Sequence, residues 1–304
     1  MIDASGRPTI SILLLCWNHA PFLGACIESV AKQQPGAEII FLDNASTDGS
    51  FELAHALFDR FGLTAKMIRN DRPQSIAANC NLLLHAANGT IVAPLSTDDW
   101  YESAYVKSLM KAAIDAPDAG WFSCSGWLYF DDEQQSVPVD ETQFVTDRSV
   151  TEMILNGDQP HFFVGCAYRR SALEQLGGWD EGQLIEDRDL FLRLSQGFTH
   201  HRVRQRLVHY RRNSLTASEN VAFMLEGWDL FFAKHADLFG QRLRARRAET
   251  YRAYAAMLID QKRYGAALAA LQRSLRLHPV SAVGWRTFAY FIRSHLQDRR
   301  IKGR

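Results

Sequence analysis

Apolar residues in the first hundred positions fall into short unbroken runs, each followed by a longer stretch in which they recur every three or four places. Residues 9–15 form an almost continuous apolar run, the pattern of a strand buried on both faces. Residues 21–34 follow with Pro21 at an early position, where its missing N–H costs nothing, and with Phe22, Cys26 and Val30 at spacing four, which predicts a helix. Strands are predicted at 38–43, 65–69 and 91–95, with helices at 50–61 and 75–87 between them. Strands alternating with helices at these lengths predict an α/β fold built on a doubly wound, mostly parallel sheet.

Beyond Tyr101 the alternation loses its regularity. A helix to about Ala116, apolar stretches at 120–130 and 162–168, and a helix at 186–196 are expected. From Glu219 no strand pattern is evident, and residues 248–277 predict a helical hairpin turning at 262–265 and closed by Pro279. Its Tyr251, Ala255, Tyr264, Ala267, Leu271 and Pro279 resemble one tetratricopeptide-like repeat, too few for an independent solenoid. Two domains are expected: residues 1–218, and a basic helical extension over 219–304.

The charge balance sharpens that division. The 304 residues hold 34 Lys+Arg against 34 Asp+Glu, yet residues 241–304 carry a net +12 and residues 1–240 a net −12. With 47% hydrophobic residues the chain is ordinary globular material, which excludes disorder, collagen-like repeats and a small disulfide scaffold. No apolar run approaches the roughly 20 residues of a membrane span, and residues 10–17 lack the basic flank and cleavage site of a secretory signal, so a cytoplasmic location is expected. Cys16, Cys26, Cys80, Cys124 and Cys166 are widely spaced in apolar segments without zinc-site spacing and read as buried small hydrophobes.

In open α/β sheets ligands bind beyond the carboxyl ends of the strands. Asn18 and His19, Asp43 to Asp48, Asn70 and Asp71, and Ser96 to Asp99 occupy those ends. A carboxylate at position 43 suits a hydrogen bond from a base N–H or a ribose hydroxyl, while Ser46 and Asp48 also suit helix capping. Asp98 and Asp99 are adjacent carboxylates, which fit either a solvated turn or a hard divalent cation shared with phosphate oxygens. Trp100, Trp127 and Trp179 are candidates to stack on a sugar face.

Together these segments resemble glycosyltransferase family 2, over about residues 9–218. The first strand ends in Cys16-Trp17-Asn18, and Asp43-Asn44-Ala45-Ser46-Thr47-Asp48 matches the Asp-rich nucleotide segment. Asn81 through Ala87 and Gly89 match the helix before the metal strand, and Leu95-Ser96-Thr97-Asp98-Asp99-Trp100 matches the Asp-x-Asp-Asp element. Gly177-Gly178-Trp179-Asp180-Glu181 and Glu186-Asp187 match the acceptor-side segments.

The resemblance implies a GT-A fold and an inverting enzyme that uses a nucleotide-diphosphate sugar, UDP-linked in the first instance, with a glycan or lipid-linked acceptor. It implies that Asn18, Asp43, Asn44, Ser46, Asn81, Ser96, Asp98 and Arg211 bind the nucleotide sugar. It further implies that Asp98, supported by Asp99, holds manganese or magnesium, and that Asp187 is the catalytic base with Glu186 as the second candidate. Two departures are visible: Ser96 replaces the first Asp of the metal motif, and Asn213 replaces a His. His209 lies four residues earlier, as a further candidate for metal or phosphate.

For the basic tail, peripheral contact with an anionic membrane on its cytoplasmic face stands beside a solvated surface as the reading. Nucleic acid is not expected, because no recognised module accompanies the charge. The rivals to a transferase are a non-catalytic GT-A scaffold acting through its helical tail, and a nucleotidyltransferase.

Overall fold

The computed structural model describes residues 8–140, 144, 148–212 and 220–302, and the side chains among these as far as residue 298. The chain divides into two compact units, one of residues 1–154, 159–181 and 186–214, the other of 155–158, 182–185 and 215–304.

The larger unit begins with β1 (Ile10–Cys16), α1 (Leu23–Ala31), β2 (Glu38–Asp43), α2 (Ser50–Arg60), β3 (Ala65–Arg69), α3 (Ile76–Ala86) and β4 (Ile91–Ser96). Its second half holds β5 (Trp100–Tyr101), α4 (Tyr105–Asp115), β6 (Ala119–Phe130), β7 (Gln135–Pro138), α5 (Val150–Asn156), β8 (Ala167–Arg169), α6 (Arg170–Gln175), α7 (Glu186–Gly197) and β9 (Thr199–Arg212). The sheet runs β3-β2-β1-β4-β8-β6-β9-β5, with β7 paired to β6. β1 is parallel to β2 and β4, and β2 to β3, so four strands end on one side. β8 then enters antiparallel to both β4 and β6. Ile12, Leu14, Phe41, Ile91 and Ala93 are buried in the core because a parallel sheet carries helices on both faces.

Gly89 fixes one register. A Cβ there would lie 2.6 Å from the Ser11 backbone nitrogen, and its own N–H donates to Ser11 Oγ at 2.8 Å.

The structure departs from the pattern reading in several places, the short β5 and β7 among them. α1 starts at Leu23 rather than Pro21. Of the 162–168 stretch only the end enters the sheet as β8, since Gly165 at φ +75° turns the chain just before it. β9, 14 residues long, had no counterpart among the predicted strands.

The smaller unit contains α8 (Val221–Lys234), α9 (Ala236–Phe239), a 3₁₀ turn at Gly240–Arg242, α10 (Leu243–Asp260), α11 (Tyr264–Leu277) and α12 (Ala282–Lys302). The predicted hairpin is α10 and α11, with Lys262 at φ +58° in its turn. Tyr251, Ala255, Ala267 and Leu271 of the repeat-like pattern are buried together with Val221, Leu258 and Phe291. All five cysteines are buried free thiols.

Candidate active site

β1 ends at Cys16 and the chain turns sharply, with Asn18 at φ +56°, a conformation that Asn tolerates better than most residues. The turn lets Asn18 clasp the loop after β2: its N–H donates to Ser46 Oγ at 2.8 Å, and its Oδ1 accepts from the Thr47 N–H at 2.8 Å. Ala45 is also left-handed, at φ +57°. Asp48 accepts from the N–H groups of Ala20 and Ser50 at 3.0 and 3.1 Å, tying the turn after β1 to the start of α2, whose N-cap is Gly49 and not Asp48.

Asp43, the last residue of β2, is wholly buried. Its Oδ2 accepts from the Ser46 N–H at 2.9 Å and lies 3.7 Å from Arg69 Nε, whereas Oδ1 is buried with no hydrogen-bond partner. Native proteins rarely leave such an atom unpaired, so an orphaned carboxylate oxygen marks a place for a ligand's donor. Behind it Asn44 Oδ1 accepts from the Gln74 N–H at 2.8 Å and from Asn70 Nδ2 at 2.9 Å, which fixes the pocket wall.

Across β1, the turn after β4 repeats the arrangement. Ser96 is exposed at the strand's end and its carbonyl accepts the Asp99 N–H at 3.0 Å. Asp98 Oδ1 is buried without a hydrogen bond, 4.0 Å from His19 Nδ1. Burial holds the His19 pKa below its usual value despite Asp98, and its Nδ1 sits 2.9 Å from Thr97 Oγ1. Asp99 is buried, and desolvation, then the charge of Asp98, push its pKa well up. Two strand spacings, roughly 10 Å, separate the ends of β2 and β4.

Arg211 does not lie open to this space. Its backbone N–H donates to Asp99 Oδ1 at 2.8 Å and its Nε to the Asp98 carbonyl at 2.9 Å, while its guanidinium pairs with Asp131. Phe22, Trp100 and Tyr129 surround that guanidinium at 4.7 to 5.0 Å. Arg211 therefore acts on the site by holding the Asp98-Asp99 turn.

The aromatic candidates are likewise engaged. β5, β9 and β6 bring Trp100, His209 and Trp127 into one cross-strand row, both indoles stacked on the imidazole at 4.7 and 5.9 Å. His209 Nε2 lies 2.7 Å from Glu102, so this histidine belongs to the sheet's aromatic face. Trp179 is buried, edge-on to Tyr168.

The acceptor-side segment is tied down by Asn81. Its Oδ1 accepts from the Trp179 N–H at 2.8 Å, and its Nδ2 donates to the Trp179 carbonyl at 2.9 Å and to Glu181 at 3.0 Å. Arg193 of α7 donates to the Gly178 carbonyl at 2.9 Å and pairs with buried Asp189 at 2.7 Å, linking the Gly-Gly turn to the helix that carries Glu186 and Asp187. Gly178 is at φ +79°, and a Cβ would fall 2.4 Å from Asn81 Oδ1. Gly178→Ala is expected to cost about 1–3 kcal/mol of stability from backbone strain and loss of this clasp. A thermal melt checks it, and an unchanged midpoint would refute the clasp.

Glu186 and Asp187 open α7, where the helix dipole favours their charge, but burial outweighs it. Desolvation, then the neighbouring Asp187 charge, push the Glu186 pKa up to about 8. Burial also raises Asp187, opposed by Arg188, whose backbone N–H donates to Asp187 Oδ1 at 2.6 Å. Burial thus raises both carboxyls, with the Asp187 charge adding to the rise at Glu186 and Arg188 opposing it at Asp187. His161, buried against Trp121 and Phe191, is a neutral core residue whose pKa burial lowers to about 4.

Among the described residues no three His, Cys, Asp or Glu side chains gather as a preformed metal site. The donor set still fits a hard cation in part, since Asp98 offers one buried oxygen without a partner and phosphate oxygens can complete such a shell. Asn213 lies outside the described residues.

Sequence analysis could not have found Asp131, which reaches the site through Arg211. His19 was visible at a strand end, but its approach to Asp98 was not.

Residues 11–177 match the model of glycosyl transferase family 2. A Bacillus subtilis protein named as a glycosyltransferase, EpsH, is 27% identical over 171 residues, which is 55% of this chain and 48% of that protein. A Mycobacterium tuberculosis protein named as a PGL/p-HBAD biosynthesis glycosyltransferase is 31% identical over 93 residues, 30% of this chain and 36% of its own. The chain thus spans about half or less of the length of these curated relatives. In fold it resembles the mannosyltransferase PcManGT from Pyrobaculum calidifontis, solved with GDP-Man and Mn2+, at a TM-score of 0.59 and 17% identity, over 97% of this chain and 83% of that one. S. aureus TarS 1-349, solved with UDP-GlcNAc, gives a TM-score of 0.59 at 12% identity, over 95% of this chain and 92% of that one. The fold is accordingly GT-A-like with a helical region after it, and with more than half of its length matching the family model, the chain belongs to glycosyltransferase family 2.

Proposed function

We propose that the chain is an inverting glycosyltransferase that moves a sugar from a nucleotide-diphosphate donor, most simply a UDP-sugar, to a hydroxyl of a glycan or lipid-linked acceptor. The observation that carries this reading is the pair of orphaned buried carboxylate oxygens, Asp43 Oδ1 and Asp98 Oδ1, at strand ends on either side of β1. One suits a base N–H and the other a cation carried on the diphosphate end of the same molecule.

In this reading Asp43 accepts a hydrogen bond from the base, and Asn18, Asn44 and Ser46 hold the loop that frames it. Ser96 lines the diphosphate end, Asn81 positions the acceptor side, and Arg211 acts through Asp98 and Asp99. A divalent cation, manganese or magnesium, held by Asp98 with Asp99 behind it, would offset charge on the leaving diphosphate. Asp187 takes the proton from the acceptor hydroxyl as its oxygen bonds the anomeric carbon. The carbon–oxygen bond to the diphosphate breaks on the opposite face, releasing the nucleoside diphosphate with inverted configuration at the sugar. Five buried free thiols fit a reducing, cytoplasmic setting, where no disulfide would form.

The test is a screen of UDP-, dTDP- and GDP-sugars for binding and nucleotide release, with and without manganese. Metal-stimulated binding of one donor with slow release of its nucleotide is expected. Failure to bind any of them under either condition would overturn the transferase reading and favour a scaffold.

A further inference from the structure

α12 presents two faces with different fates. Gly284, Thr287 and Phe291 are buried, with Phe291 packed into the core formed by α10 and α11. Trp285, Ile292 and Leu296 are 52%, 44% and 53% exposed, and Ala289 is exposed between them. At 100° per residue these four positions fall within roughly 60° of one another and form a straight apolar stripe about 16 Å long. The Trp285 indole is fixed by its Nε1–H donating to the Pro279 carbonyl at 2.8 Å. Arg286 and Arg293, seven residues apart and both exposed, run along one flank.

We propose that this stripe docks the helical unit on an anionic lipid surface, with the indole and the two aliphatic side chains in the headgroup boundary and the arginines on lipid phosphates. Three observations select that occupant. An exposed Trp and aliphatic residues beside a basic flank are the composition of helices that lie in the membrane interface. Residues 282–304 hold six Lys+Arg against one Asp+Glu, so this stretch of the sequence attracts an anionic surface. Residues 1–240 carry a net −12, so the attraction is confined to this end of the chain. A second copy fits less well, because an antiparallel two-fold contact would set the same arginine rows side by side. Nucleic acid would leave the apolar stripe without a role. No described helix is long and apolar enough to cross a membrane, so the contact is one of lying on the surface.

The inference goes beyond the transferase reading and does not depend on it. The whole chain is sedimented with phosphatidylcholine vesicles, with and without phosphatidylglycerol, at low and high salt, and donor turnover is read in parallel. Binding is expected only with phosphatidylglycerol, weakened by salt. It should fall at least about tenfold in R286E/R293E and also in W285S/I292S/L296S, with helicity unchanged. Absence of binding to the anionic vesicles, equal binding to neutral ones, or undiminished binding by both variants would overturn the proposal. So would a wild-type dimer that the serine variant dissociates, or DNA binding that the same variant abolishes. Vesicle binding without donor turnover would leave this proposal standing and count against the transferase.

Discussion

Asp187→Asn is expected to lower the rate of sugar transfer by about 10²- to 10⁴-fold, the usual contribution of a positioned general base, while donor affinity stays within roughly twofold. The asymmetry of the Glu186–Asp187 pair makes the prediction sharp. Arg188 supports charge on Asp187, whereas Glu186 faces that charge and is pushed up to about 8. Asp187 is thus the member whose charge a neighbouring cation supports. Since a base must be unprotonated to work, transfer should fall as pH drops through the pKa of Asp187, and burial places that limb above the ordinary carboxylate value of about 3.9. A pH profile of kcat/KM in wild type and variant is the measurement. A variant that turns over normally, or keeps the same acid limb, would transfer the role to Glu186 or away from this helix altogether.

Asp98→Ala should separate binding from folding. A charge-assisted contact of about 1.5–3 kcal/mol corresponds to donor affinity weaker by roughly 10- to 100-fold, with the dependence on manganese reduced. Stability should move the other way. A buried carboxylate oxygen without a partner costs about 1–3 kcal/mol in the free protein, so its removal is expected to leave the melting temperature unchanged or raise it. Asp99→Ala offers the contrast, because it strips a hydrogen bond from the Arg211 N–H and should lower stability. Donor titration calorimetry paired with thermal melts distinguishes these outcomes. Loss of stability in Asp98→Ala together with unchanged donor affinity would make Asp98 a structural residue.

The strand ends of the proposed donor half were legible because parallel strands announce themselves twice, as apolar runs and as polar residues where the runs stop. Asp43 and Asp98 needed no contact information to be singled out. The proposed base was singled out only by resemblance, since an acidic first helical turn is common for electrostatic reasons alone. β9 escaped because its Arg and His residues alternate poorly with Val203, Leu207, Val208 and Tyr210, and its pairing with β6 shifts register between Ser123 and Ser125 and again before Gly126. Those irregularities erase the two-residue period by which a strand is recognised. The role of Arg211 was hidden for a related reason: its partners Asp98, Asp99 and Asp131 lie 80 or more positions away.

The buried thiols carry a practical consequence. Burial pushes Cys16, Cys26 and Cys166 toward the neutral, unreactive thiol. A cysteine introduced on the exposed side of α12 would therefore alkylate ahead of every native one. A single fluorophore could then be attached to the native-sequence background, without first replacing five core residues.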